Sequence, residues 1–369
     1  MPSAIAQLNQ FGQSPWYDNL ARSLLHAPAG ERTGLQTLVE DDGIRGVTSN
    51  PTIFEKAMAA GEGYDEDLEQ CAREGLSIED SYWRLVSDDV GTAADVLRSV
   101  YDATGGADGF VSVEVSPDLA HDTAATIEQA EELFRRLGRP NVMIKIPGTL
   151  EGLPAITATV AKGINVNVTL IFSIDRHAAV IDAYFLGLEQ LVAANGDPSR
   201  VSSVASFFVS RVDTETDRRL PEGHALRGTA AVANARLAYR LFRERFASDR
   251  WEALAARGAR LQRPLWASTS TKNPAYSPTL YVDELIGRDT VNTLAPASIE
   301  ALHRGDANLR PNTVAENSEE AEQVMRDLAD VGVDFADVTD TLEREGVASF
   351  SASFHDALST LEKRRAEMT

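Results

Sequence analysis

The sequence predicts an α/β protein whose parallel strands close into a (β/α)8 barrel, and three observations lead there. Short β-rich runs recur between longer helical patterns. The runs are apolar almost throughout instead of alternating, as strands covered on both faces must be. They number eight, which closes a barrel of typically about 250 residues. The chain has 369 residues, so added helices make up the remainder, and residues 1–369 are expected to form one barrel domain. An open dinucleotide-binding sheet is disfavoured, because no glycine fingerprint opens a helix and Gly105-Gly106 sits in a turn.

Ser14–Leu20 reads as a short first strand, followed by Gly43–Asn50 and Gly109–Ser116. Asp122–Leu137 reads as a helix, with an apolar stripe of Ala125, Ile127, Ala130, Leu133, Phe134 and Leu137 and with Gly138 as its terminator. Val142–Pro147, Ile164–Phe172 and Val201–Arg211 supply strands four to six. Gly228–Phe246, rich in alanine and arginine, reads as a helix, and Pro264–Ser270 and Thr290–Leu294 complete the barrel. The stretch Asn317–Lys363 is helical and amphipathic and is expected to pack on the barrel. No internal repeat, low-complexity tract or Pro/Ser-rich linker interrupts the pattern.

A hydrophobic content of 43% supports a large core. The formal net charge of −21 argues against nucleic acid or an anionic membrane as a partner, so any phosphate pocket must be local. The single Cys71 excludes an internal disulfide. Residues 1–13 lack a basic segment followed by an apolar run, and no membrane span is visible, which together suggest a cytoplasmic protein. The oligomeric state is not legible, and a homodimer is left open.

Thirty of the 35 basic residues are arginine, most simply a coding bias, and this isolates the few lysines. Lys145 lies within the apolar run Asn141–Gly148. A buried ammonium loses solvation, which favours the neutral amine that attacks a carbonyl to form a Schiff base. The alternative is a stem lying on apolar surface with its head reaching water or an acid at the strand end. Other strands also carry polar residues without structural need: Glu114, Asn165, Asn167, Thr169, Ser206 and the run Thr48-Ser49-Asn50. In a barrel, such residues near the C-terminal strand ends converge on one mouth. Singly they have simpler readings, since Asn50 before Pro51 suits a turn or an N-cap and Glu114 a surface acid. The six histidines fall singly, without metal-ligand spacing.

In order along the chain, Trp16–Asn19, Gly46–Phe54, Val113–Val115, Ile144–Pro147, Ile164–Phe172, Ser206–Asp213, Trp266–Pro274 and Thr290–Thr293 resemble the motifs of the transaldolases, in their longer bacterial subgroup. The resemblance implies transfer of a dihydroxyacetone unit from sedoheptulose 7-phosphate or fructose 6-phosphate to glyceraldehyde 3-phosphate or erythrose 4-phosphate. That reaction belongs to the non-oxidative pentose phosphate pathway and needs no metal or organic cofactor. It further implies Lys145 as the Schiff-base lysine, Glu114 with Thr169 as proton shuttle through a water, and Asp18 as the acid–base group at C–C cleavage. Asn50, Asn167 and Ser206 would bind the dihydroxyacetone hydroxyls, and Arg211, Ser270 and Lys272 the phosphate.

Glu114 and Phe208 favour transfer over free aldol cleavage, because the shorter fructose 6-phosphate aldolases typically carry glutamine and tyrosine at these places. Two departures bear on sugar preference: Lys272 stands where many members have arginine, and the proline that often follows the serine is missing after Ser206. The competing readings are an aldolase-like enzyme, a sugar-phosphate-binding barrel without turnover, and a metal-dependent aldolase or isomerase.

Overall fold

The computed structural model describes residues 3–61 and 63–368. Eight parallel strands close into a barrel in sequence order: β1 Gln13–Tyr17, β2 Gly46–Thr48, β3 Phe110–Glu114, β4 Val142–Pro147, β5 Val166–Ile171, β6 Ser203–Phe208, β7 Gln262–Ala267 and β8 Thr290–Leu294. β1 pairs with β8 from Gln13–Thr290 to Tyr17–Leu294, which shuts the cylinder. The expected (β/α)8 architecture is therefore the observed one. The apolar strands are buried along nearly their whole length because the barrel filling covers one face and the helices the other.

Local chemistry trims the expected boundaries. β2 begins at Gly46 rather than Gly43, since Gly43 adopts φ 82° to end the preceding turn. β6 stops at Phe208 and a helix, Ser210–Arg219, starts at once, so Arg211 sits on a first helical turn and not on a strand. The expected helices appear as Thr123–Leu137, capped by the Asp122 side chain and ended by Gly138 at φ 59°, and as Ala230–Arg245. The C-terminal stretch divides into Ser318–Asp330 and Phe335–Glu367, because Gly332 at φ 89° breaks the chain and Asp334 caps the second helix. Among the described residues no helix is long and apolar enough to cross a membrane.

Trp16 pairs in register with Gly46, and its indole occupies the space a larger residue would need: a Cβ on Gly46 would stand 2.5 Å from the ring. Beneath the barrel, Asp108 accepts from Ser14 Oγ at 2.6 Å and Trp16 Nε1 at 3.1 Å and pairs with Arg263 at 2.9 Å, closing that end with a satisfied polar plug.

His177, on the helix Ile174–Ala193, is fully buried against Phe207, and neither ring nitrogen has a hydrogen-bond partner among the described residues. Burial holds it neutral down to about 4, against an ordinary value of 6.5. Between those values the unfolded chain binds a proton that the folded chain refuses, so stability present above the ordinary value is lost as pH falls. Relative to the parent, His177→Leu is expected to gain about 3 kcal/mol between neutral pH and about pH 4. Urea unfolding at the two pH values measures this, and an equal difference at both would count against it.

Candidate active site

Glu114 on β3 and Lys145 on β4 stand in register on neighbouring strands, so their side chains leave the same face together. Each is 5% exposed. Lys145 Nζ lies 3.1 Å from Glu114 Oε2 and donates to the Ser49 carbonyl at 3.2 Å. That contact with Glu114 lies off the hydrogen-bond direction, and among the described residues no other donor reaches either carboxylate oxygen. Burial pushes the Glu114 carboxyl above the usual carboxylate range, with Lys145 opposing. A carboxylate of raised proton affinity beside an amine is a pair able to exchange a proton.

Asp18 follows β1; its N–H donates to the Leu294 carbonyl at 2.9 Å, prolonging the ladder to β8, and its carboxylate accepts from Thr48 Oγ1 at 2.7 Å. Asn50 caps the helix Pro51–Ala60 by accepting from the Ile53 N–H at 3.0 Å, which leaves its amide nitrogen for the mouth. The cap and the site are thus served by one residue. Thr169, opposite Pro147 on β5, is fully buried and its hydroxyl has no hydrogen-bond partner among the described residues. One residue further, Leu170 takes φ 58° within an irregularity of the β5–β6 pairing, a strained conformation for a leucine.

These groups surround a cavity of about 280 Å³ at the barrel mouth, near the lower end of ligand-pocket volumes, about 300 Å³. Asp18, Asn50, Lys145, Thr169, Ser206, Phe208, Arg211 and Lys272 line it. Glu114 does not line the cavity; its carboxylate contacts Lys145, which does. Asn167 lies behind the wall: it accepts from Ser206 Oγ at 2.7 Å and donates to Ser112 Oγ at 3.0 Å, thereby holding Ser206 in place. Ser270 is turned away, its hydroxyl 3.1 Å from that of Ser298.

Arg211 and Lys272 face the cavity with no ion-pair partner among the described residues. Burial works against both charges, and Arg211 also depresses Lys272; Asp18 opposes the effect at both. Two cations so poorly compensated, in a chain of net charge −21, would favour an anion beside them. The loop that carries Lys272 is tied down: Tyr276 donates to Asp217, and Tyr281 donates to Asp213 at 2.8 Å. Burial pushes Asp213 up to about 6. No group of three or more potential metal ligands occurs among the described residues.

The family model described as Transaldolase/Fructose-6-phosphate aldolase matches residues 15–361. The chain belongs to that family. A transaldolase of Acidothermus cellulolyticus is 49% identical over all of this chain and 99% of its own length. Transaldolases of a Parafrankia species and of Mycolicibacterium smegmatis are each 48% identical, the first over 99% of this chain and 98% of its own, the second over 96% and 95%.

In this member of the transaldolase family, sequence reasoning passed over several cavity residues, Lys56 and Phe350 among them. Lys56 lies one turn beyond Thr52 and Ile53 on the helix capped by Asn50, and all three line the mouth. The scarcity of lysine and its i, i+3/i+4 spacing from Ile53 and Thr52 were signals available for it. Phe350 reaches the cavity from the helix Phe335–Glu367, and nothing in an amphipathic pattern says which apolar residue of a covering helix enters a site.

Proposed function

We propose that this chain is a transaldolase in which Lys145 carries the three-carbon unit, and the buried Lys145–Glu114 pair at the mouth of the barrel is the observation that supports it most. Lys145, once neutral, attacks the ketose carbonyl to give a carbinolamine, and loss of water gives an iminium that accepts the electrons of the breaking C–C bond. Glu114, with its proton affinity raised by burial, takes the amine proton and passes protons through a water held with the Thr169 hydroxyl. Asp18, aimed by Thr48, removes the proton of the hydroxyl at the cleaving bond and returns it to the acceptor aldehyde oxygen. Asn50 and Ser206 bind the hydroxyls of the dihydroxyacetone unit, with Asn167 bracing Ser206. Arg211 and Lys272, flanked by Lys56, hold the sugar phosphate. Ser270 belongs to this phosphate set only if its loop turns. A cytoplasmic setting is in keeping with the lone, buried, free Cys71.

Transfer is favoured over free aldol cleavage by Phe208, which offers the cavity wall no proton. The deciding experiment supplies fructose 6-phosphate with and without erythrose 4-phosphate, in the presence of a chelator, and follows glyceraldehyde 3-phosphate. Transaldolase action makes its formation depend on the acceptor. Equal formation without acceptor would indicate an aldolase, and none in either case a binding protein.

Removing the Tyr276 hydroxyl frees the loop that presents Lys272. Tyr276→Phe is expected to raise KM for the phosphorylated donor about tenfold with little change in kcat, because the phosphate contact serves ground and transition states alike. Steady-state kinetics test this, and a fall in kcat at constant KM would speak against it.

A further inference from the structure

The helix Phe335–Glu367 is strapped across the barrel mouth. Near its start Asp337 pairs with Arg219 at 2.7 Å; further along, the Ser353 and Thr52 hydroxyls meet at 2.8 Å, and Arg364 donates to the Met58 carbonyl at 3.0 Å. Between these anchors Gly346 lies against Leu170, where a Cβ would stand 2.9 Å from the leucine side chain. The strained backbone of Leu170 and the missing side chain at residue 346 together let the helix approach the strand ends closely. One turn on, on the same helix face, Phe350 enters the cavity. Its ring centre lies 5.6 Å from Lys145 Nζ and 5.9 Å from the Arg211 guanidinium carbon, and the residue is 3% exposed. A sugar phosphate bonded to Lys145 and held by Arg211 must therefore run past this ring.

We propose that Phe350 is a specificity-determining residue that commits the bound three-carbon unit to transfer instead of release into water. The proposal rests on Lys145 as the Schiff-base lysine. C–C cleavage leaves the dihydroxyacetone unit on Lys145 as an enamine, which has two fates. In transfer, the enamine carbon attacks the acceptor's aldehyde carbon, a C–C bond forms, and the aldehyde oxygen takes the proton held by Asp18. In release, water gives a proton to the enamine carbon, water then adds to the iminium carbon, and the C–N bond breaks to return the amine and free dihydroxyacetone. An apolar ring along the acceptor's path denies a water the hydrogen bonds it needs beside the enamine carbon, while the Glu114 carboxylate and Thr169 hydroxyl, without hydrogen-bond partners among the described residues, offer polar partners to the water used in iminium chemistry.

The readout is the partition ratio, dihydroxyacetone released per unit transferred, measured with fructose 6-phosphate and erythrose 4-phosphate. Phe350→Ala is expected to raise it about tenfold, the equivalent of opening a competing water route. Phe350→Tyr keeps the ring and the packing but brings a proton donor, and it is expected to raise the ratio as well. A ratio unchanged in Phe350→Tyr and in any folded Phe350→Ala overturns the proposal, even if both slow the overall reaction, since a purely structural role lowers both fates together. Borohydride trapping with fructose 6-phosphate separates the two levels: no adduct on Lys145 in the wild type removes the Schiff-base reading itself. An adduct with an unchanged ratio removes only the role of Phe350.

Discussion

Lys145→Arg is expected to lower turnover by at least about 10⁴-fold while the protein stays folded, because a guanidinium keeps its positive charge and cannot form an iminium. Arginine is the informative replacement at this position. The site holds a buried carboxylate, Glu114, 3.1 Å from the amine, and a variant that removed the cation would leave that carboxylate uncompensated at a cost of about 3–5 kcal/mol. Lys145→Ala therefore mixes lost chemistry with lost stability. Lys145→Arg keeps a cation beside Glu114, so a circular-dichroism melt close to that of the parent, together with absent turnover, isolates the nucleophile. Retained activity in the arginine variant would mean that the amine is not the attacking group.

The second large effect is at Asp18. Asp18→Asn preserves the size of the side chain and leaves an oxygen to accept the Thr48 hydrogen bond, so the geometry of the β1 strand end is kept. It removes the base that the proposed mechanism places here. The expected loss in kcat is about 10³-fold, within the range for a positioned acid–base group. It should fall after Schiff-base formation, because the Lys145–Glu114 pair is untouched. Borohydride reduction of this variant with fructose 6-phosphate should therefore trap the whole six-carbon sugar phosphate on Lys145, whereas the parent traps a three-carbon unit. A three-carbon adduct in Asp18→Asn would show that another group accepts the proton at cleavage.

The barrel was legible because its strands are buried on both faces, which leaves continuous apolar runs that no surface strand shows. The ends of those runs were less legible. Arg211 follows the β6 run without a break, and only the turn of the chain at Val209 makes it a helical residue. The candidate site could be read for the same reason as the strands: Glu114, Lys145, Thr169 and Ser206 are polar within runs that are otherwise apolar, and this conflict is itself the signal. Contacts made across the fold left no such mark. That Asn167 braces Ser206 from behind, that Ser270 turns towards Ser298, and that Phe350 comes down on the mouth from a helix about 180 residues away in sequence from Asn167 all depend on tertiary packing, which local pattern does not encode. The C-terminal stretch shows the same limit on a larger scale: its amphipathic pattern continues through Gly332, but the backbone there is left-handed and the helix restarts at Phe335.

The most direct measurement is intact-mass spectrometry of the wild-type protein after incubation with fructose 6-phosphate and borohydride, followed by peptide mapping of any modified residue. A reduced three-carbon adduct on Lys145, absent without the sugar phosphate and absent in Lys145→Arg, is the predicted result. A folded, sugar-binding protein that acquires no adduct, or acquires one on Lys56 or Lys272 instead, would contradict it.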